Sequence, residues 1–176
     1  FEQTVYPVLT PMAIDPSHPT PSLRNRGIYL AAIIQQKGAR LGGPKRMLAL
    51  VQIPSVLPRL IRLPGVGAQF ILLEHFVESR LDQLFGGSAI VGSTIIRITR
   101  DADLDIDGDQ VLQDLSKAIE EGLKQLRHRE AIRLEVAAGA TPSLIEAIRQ
   151  PLSLLDQEIY EVHGPLDLTA LMQWHG

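Results

Sequence analysis

Apolar runs of strand length alternate with helical patterns along most of the chain. The runs that predict strands are rich in strand-forming residues and cover residues 28–34, 47–53, 70–72, 94–99, 131–137 and 159–162. The run at 94–99 is β-branched almost throughout, which indicates a strand with both faces covered. A further run at 57–64 is bounded by prolines and predicts an edge strand, because proline cannot donate to a sheet.

Helical periodicity appears in four places. It is clearest at residues 109–127, where apolar side chains recur along one face, and a shorter pattern covers 76–85. Thr141 is a predicted N-cap with Pro142 at the first helical position, and a last helix is predicted from about Leu166. Strands that alternate with single helices predict an α/β (α+β) fold, a mixed β-sheet flanked by about three to four helices.

The N-terminal part of the chain has a different pattern. Five prolines lie between residues 7 and 27, and each removes a backbone donor and restricts its predecessor, so we expect an extended, non-helical arm. The predicted organisation is a proline-rich arm at 1–27 that leads into a single domain at 28–176. The first six residues lack both an initiator methionine and a signal-peptide pattern, so we expect a piece of a longer protein.

Composition narrows the function classes. The chain has 176 residues, no cysteine and a net charge of -3, which excludes a disulfide framework and disfavours wholesale coating of nucleic acid. One Trp, three Tyr and four Phe offer little surface for stacking bases. No apolar run approaches the roughly 20 residues that span a bilayer. We expect no nucleic-acid partner and no transmembrane segment.

An acidic stretch from Asp103 to Asp114 approximates a calcium-binding EF-hand loop. Acids occupy its first, third, fifth and twelfth positions, and Gly108 occupies the sixth. Asp114 has a shorter arm than the usual glutamate, and the preceding segment resembles a strand instead of a helix. We therefore favour an acidic helix N-terminus, with Asp107 or Asp109 as the cap, and keep a small calcium-binding module as the alternative.

The sequence does not provide an obvious catalytic centre. The five histidines, at positions 18, 75, 128, 163 and 175, lack the spacing that would gather a metal or a general base on one helix. The chain also lacks a nucleophile elbow and a Walker-type phosphate loop. We predict no catalytic residue and no metal ligand here, and keep a free-standing phosphotransfer or hydrolytic enzyme only as a second alternative.

Several segments, in order, resemble the head, or middle, domain of the polyphosphate kinase family. The segment from Tyr6 to Pro19 is similar to the family's entry motif, and the blocks that follow are Leu57-Pro58-Arg59, Leu63-Pro64, Leu73-Glu74, Leu84-Phe85, Arg97-Ile98-Thr99-Arg100-Asp101-Ala102-Asp103-Leu104 and Gly164-Pro165-Leu166-Asp167-Leu168. The matches extend over nearly the whole chain.

The resemblance implies an enzyme that moves the γ-phosphate of ATP reversibly onto polyphosphate through a phosphohistidine, with Mg. It places that histidine in catalytic domains that follow this segment, and a helical domain before it. The segment alone is then expected to be inactive and to bind no cofactor, and to act in oligomerisation and scaffolding within a homodimer. The resemblance also implies a cytoplasmic enzyme, with membrane association of the full-length protein left open.

Four arginines are candidates for contact with polyphosphate. Arg59, Arg62, Arg97 and Arg100 flank predicted strands, and a planar guanidinium can bind phosphate through two hydrogen bonds. The alternative, which we favour, is that they pair with nearby acids such as Asp101, Asp103 and Glu74 or stay solvated, because surface charge usually has no ligand.

Overall fold

A computed structural model describes residues 3–14, 21, 23–36, 46–65, 68–100 and 131–173 of the chain. Its strands are β1 Pro11–Ile14, β2 Ile28–Gln36, β3 Arg46–Gln52, β4 Leu60–Arg62, β5 Phe70–Leu72, β6 Ser88–Arg100, β7 Ala131–Ala137 and β8 Ile159–Val162. Its α-helices are α1 Leu73–Glu78, α2 Leu81–Leu84 and α3 Pro142–Leu152. The main sheet has the order β1-β3-β2-β6-β7-β8, and β4 and β5 form a separate two-stranded sheet. The predicted mixed-sheet α+β fold is confirmed.

The sheet is mixed because one connection carries a helix. All pairings are antiparallel except that of β7 with β8, which run parallel with α3 between them in sequence. Thr141 caps α3 as predicted, since its side chain accepts a hydrogen bond from the Leu144 amide, and Pro142 follows it. Leu144, Ile148 and Leu152 recur every four residues and are buried against the sheet. This helix therefore closes one face of the sheet.

The core lies on both faces of the sheet. Tyr29 and Ala31 of β2 belong to the cluster that includes α3, whereas Leu30 and Ala32 belong to the cluster that includes α1 and α2. Alternate residues of a strand point to opposite faces, so a strand buried on both sides must be apolar at every position. This explains the unbroken apolar run that made β2 predictable.

Strand β6 is twice as long as its predicted segment. It begins at Ser88 and pairs with β2 from Gln36↔Ser88 to Ile28↔Arg97, with a register shift between Ile33 and Ile34. Its first half contains Gly92 and small polar residues that lower strand propensity. Pairing with the long central strand holds these residues in the sheet although their own preference is weak.

Two helix predictions were wrong in part. The segment 76–85 is not one helix: α1 and α2 are separated at Ser79 and Arg80, where the Ser79 hydroxyl donates to the Phe76 carbonyl at 2.7 Å and Arg80 leaves the helical region with ψ 17. The C-terminal helix expected from Leu166 is a 3-10 helix, Leu168–Gln173. The predicted helix at 109–127 and the acidic stretch from Asp103 to Asp114 lie outside the described residues.

The proline-rich arm is partly built into the sheet. Strand β1 pairs with β3 at the sheet edge, and Val5, Leu9 and Ile14 are buried. The expectation of a wholly non-helical arm was wrong at Tyr6–Val8, a short 3-10 helix that accommodates Pro7 at its start because the first amides of a helix need no partner. The boundary proposed between residues 27 and 28 stays a prediction. Within the described ranges, none of the helices is long and apolar enough to cross a membrane.

Candidate functional site

Arg59 and Glu74 form a closely bonded ion pair beside the small sheet. Arg59 Nε donates to both carboxylate oxygens of Glu74 at 3.0 and 3.1 Å, and Nη2 donates to Oε1 at 2.5 Å. The Glu74 side chain is only 2% exposed and that of Arg59 14%. The Leu73 amide also donates to the Arg59 carbonyl at 2.7 Å, which holds the start of α1 against the residue before β4. A carboxylate this buried needs a charged partner, which Arg59 provides.

Asp167 connects this pair to the C-terminal segment. Arg59 Nη1 donates to the Asp167 main-chain carbonyl and lies 3.9 Å from its carboxylate, which also accepts from the Thr169 amide at 3.0 Å. Burial alone would raise the pKa of Asp167, but hydrogen bonds from Thr169 and the charges of Arg97 and Arg59 together lower it. The carboxylate is therefore held in its charged form.

Arg97 lies on the main sheet, and its charge acts on the same carboxylate, that of Asp167. It lies opposite Glu135 across β6 and β7, with Nη1 3.0 Å from Oε2, and Arg133 contacts the other oxygen of Glu135 at 3.1 Å. Arg133 also lies over the ring of Tyr160, 4.2 Å from its centroid, and joins β7 to β8. We call Arg59, Glu74, Asp167, Arg97 and Glu135 the arginine network. Arg59 joins the small sheet to the C-terminal segment by direct contacts, and Arg97 of the main sheet acts on Asp167 through its charge.

The four predicted polyphosphate contacts thus have different surroundings. Arg59 and Arg97 act on one carboxylate, Asp167, and the pairing of Arg59 with Glu74 that the favoured alternative named is present. Arg100 donates from Nε to the Leu23 carbonyl at 2.8 Å, and its amide donates to the Asn25 side chain at 2.9 Å. Arg62 is exposed at the end of β4. Contact of any of the four with polyphosphate stays a prediction.

A cavity of about 590 Å³ lies next to the arginine network. Three stretches of chain line it, residues 24–28, residues 52–59, and residue 167 with residues 169–170, and its charged lining residues are Arg24, Arg26, Arg59 and Asp167. Sequence reasoning singled out only Arg59 among these. The run Arg24-Asn25-Arg26-Gly27 offered a signal, since two arginines precede a glycine at the start of a strand, but nothing local indicates that this turn faces residues 52–59 and 167–170.

The turn at 24–27 is fixed by main-chain hydrogen bonds. The Gly27 amide donates to the Arg24 carbonyl at 3.1 Å, and the Arg26 amide donates to the Ile98 carbonyl at 2.8 Å. The Arg24 amide donates to the hydroxyl of the buried Tyr29 at 2.6 Å. Burial raises the pKa of Tyr29 and outweighs that hydrogen bond and the charges of Arg100 and Arg24. A Cβ on Gly27 would lie 2.7 Å from the Tyr29 ring, so only glycine fits there.

The histidines are not gathered into a site in the described part of the chain. His75 Nδ1 lies 3.5 Å from Glu78, one turn along α1, and His163 is exposed after β8. The residues His18, His128 and His175 fall outside the described ranges. Those ranges also contain no group of three or more His, Asp or Glu side chains placed to hold a metal ion.

The whole fold has a counterpart among solved structures. The crystal structure of a polyphosphate kinase from Porphyromonas gingivalis superposes with a TM-score of 0.73 at 22% identity, and the match covers 100% of this chain and 24% of that one. At this identity the likeness establishes the fold. The molecule is thus an α+β domain of the kind found inside that larger protein.

Sequence comparison establishes the family. The family model described as the polyphosphate kinase middle domain matches residues 1–174. Polyphosphate kinases of Pseudomonas putida and Exiguobacterium sibiricum are 35% and 40% identical to the chain and are matched over 100% and 96% of it. The chain belongs to the polyphosphate kinase family, as its middle domain, and the predicted resemblance is confirmed. It spans about a quarter of the length of these relatives, 24% and 23%.

Proposed function

We propose that this chain is the non-catalytic middle domain of a polyphosphate kinase. The whole enzyme transfers the γ-phosphate of ATP reversibly to polyphosphate, with Mg, through a phosphohistidine that lies outside residues 1–176. The observation that carries the proposal is the match of the family's middle-domain model to residues 1–174.

The domain's role in this proposal is that of a scaffold. Arg59 and Arg97 are engaged with buried or half-buried carboxylates, and Arg100 with the Leu23 carbonyl. Moving Arg59 onto a phosphate would leave Glu74, 2% exposed, without its cation, and that loss opposes binding. These ion pairs therefore favour guanidinium groups that are held in place within the domain over a mobile polyanion contact.

Exposed apolar side chains support docking onto other parts of the enzyme. Leu168 and Met172, in the C-terminal 3-10 helix, are 60% and 79% exposed, and Tyr6 and Val8 are exposed in the N-terminal one. Apolar surface of this kind is typical of contact sites. We propose that it packs against the helical domain before this segment, the catalytic domains after it, or the second subunit of a homodimer.

Contact with polyphosphate is a second, weaker part of the proposal. Arg62 is the exposed member of the four candidate arginines and is therefore the one most accessible to polyphosphate. The calcium-binding alternative has no support from the relatives, which are named polyphosphate kinases.

We place the full-length enzyme in the cytoplasm. Fractionation of cell extracts would decide whether it also associates with the membrane.

The test compares the full-length protein with the 176-residue chain. Each is incubated with ATP, Mg²⁺ and a polyphosphate primer, and polyphosphate and ADP are quantified. The proposal expects ATP-dependent chain elongation by the full-length protein and none by the chain alone. Elongation by the isolated chain, or its absence from a folded full-length protein, contradicts the proposal.

A further inference from the structure

The turn at residues 24–27 presents two arginines to the cavity on a fixed backbone. Arg24 and Arg26 both line the cavity, and both are exposed. Their amides are held by the Tyr29 hydroxyl and the Ile98 carbonyl, so the turn is anchored to β2 and β6 at the same time. A ligand that binds here would not have to order the turn, which removes a cost of binding.

The conformation of Arg26 is unfavourable for an arginine. Its φ is 56°, in the left-handed region that favours glycine and asparagine. The Arg26 amide would donate to Ile98 equally well if the residue were glycine, so the main chain does not require a side chain here. An arginine in this region is an outlier that motivates a functional hypothesis, and Arg26 lines the cavity.

The charges of the cavity do not cancel. Arg59 is paired with the buried Glu74 behind the lining, so Arg24 and Arg26 outnumber the one remaining carboxylate, Asp167, and the cavity keeps a net positive charge. In the described part of the chain the only side-chain hydrogen bond of either is that of Arg24 to the Ser55 hydroxyl, at a long 3.4 Å. Both guanidinium groups can therefore turn to a ligand without breaking a buried ion pair, unlike Arg59.

The chemistry of this lining suits a chain of phosphates. Guanidinium groups bind phosphate oxygens through paired hydrogen bonds, and the hydroxyl of Ser55 adds a further donor. The volume of about 590 Å³ lies in the range of small-molecule sites. We propose that this cavity binds condensed phosphate, either inorganic polyphosphate or the phosphate tail of a nucleotide, with Arg24 and Arg26 as its cationic ligands. The inference rests on the proposed function for its choice of ligand.

The test reads occupancy of this cavity alone, in the full-length protein. Val56 lines the cavity and is 78% exposed, so Val56→Cys provides a reporter thiol in a segment that has no cysteine. Its alkylation rate is followed by mass spectrometry of the peptide that contains residue 56, with tripolyphosphate, ATP or sulfate added at low and moderate salt. Leu155→Cys, on an exposed residue outside the cavity lining, controls for general effects of the anions.

We expect tripolyphosphate to slow alkylation at position 56 but not at position 155. This protection of position 56 should become weaker at higher salt. Protection by ATP at equal concentration identifies the nucleotide tail as a ligand, and protection by tripolyphosphate alone identifies polyphosphate. Arg24→Gln and Arg26→Gly are each expected to weaken protection about tenfold or more, as for loss of a charge-assisted hydrogen bond. Arg80→Gln, an exposed arginine outside the cavity, is the matched control.

Stability separates a ligand role from a structural one. Glycine accepts the φ of 56°, so Arg26→Gly is expected to keep or raise the melting temperature while it loses protection. Protection that persists in Arg24→Gln and Arg26→Gly, or that is missing in the wild-type background at low salt, overturns the inference. Polyphosphate synthesis by the same protein is measured separately, so failure of this site is distinguishable from failure of the proposed function.

Discussion

Removal of the Arg59 guanidinium is the sharpest test of the arginine network. Arg59→Met keeps most of the aliphatic stem but leaves the Glu74 carboxylate, 2% exposed, without its cation. It also removes the donor to the main-chain carbonyl of Asp167. The small sheet, α1 and the C-terminal segment then lose the side chain that joins them.

The expected cost follows from the burial of the pair. Removing one partner of a buried, hydrogen-bonded ion pair costs about 3–5 kcal/mol of unfolding free energy. For a domain of this size that corresponds to a fall in melting temperature of about 6–20 °C. Glu74→Leu is expected to cost less, because Arg59 keeps Asp167 and is itself 14% exposed. The double variant Arg59→Met/Glu74→Leu is expected to recover much of the loss, since no buried charge remains unpaired.

Urea denaturation of the four proteins gives the coupling energy of the pair in a double-mutant cycle. Arg80→Met serves as the control, because Arg80 is exposed and its loss should change stability by less than about 0.5 kcal/mol. If Arg59→Met costs no more than Arg80→Met, or if the double variant is as unstable as the sum of the single ones, then the pair does not stabilise the domain as described.

Three further predictions concern other positions. Asp167 has a lowered pKa in the folded state, so its charge stabilises the fold above the unfolded pKa of about 3.9, and this stabilisation is lost as pH falls through the folded pKa. The melting temperatures of Asp167→Asn and wild type should therefore differ at pH 7 and converge in acid, and a difference that does not depend on pH would refute this. Gly27→Ala places a Cβ 2.7 Å from the Tyr29 ring and should cost about 1–3 kcal/mol in urea denaturation; an unchanged midpoint would show that the turn yields easily. Thr141→Ala removes the cap of α3 and should cost about 0.5–1 kcal/mol, at the low end because its hydrogen bond to Leu144 is 3.4 Å long, with Thr141→Ser as the control that retains it.

The sequence predicted those elements whose own residues determine them, through apolar patterning or capping residues. Strand β2 was predictable because burial on both faces requires an apolar residue at each position, and α3 because Thr141 and Pro142 define its start. The first half of β6 was missed, since Gly92 and its neighbours are in the sheet only through pairing with β2. That pairing is a long-range contact and leaves no local pattern.

The candidate site was predictable in kind but not in composition. Arg59 was predicted as a polyphosphate contact, which stays a prediction, and its partner Asp167 lies 108 positions away and was assigned to a helix. The cavity lining was missed because Arg24 and Arg26 face it only after the turn is anchored to Ile98 and Tyr29. Charge type can be taken from the sequence, whereas which charges share a cavity depends on the fold.

The most direct test of the scaffold proposal is polyphosphate synthesis by full-length Arg59→Met, measured well below its melting temperature with saturating ATP and primer. We expect synthesis by wild type and an unchanged kcat in the variant, with its melting temperature lowered. A drop in kcat of about tenfold or more in a protein that is still folded would contradict it, because Arg59 would then contribute to the chemistry and not only to the structure.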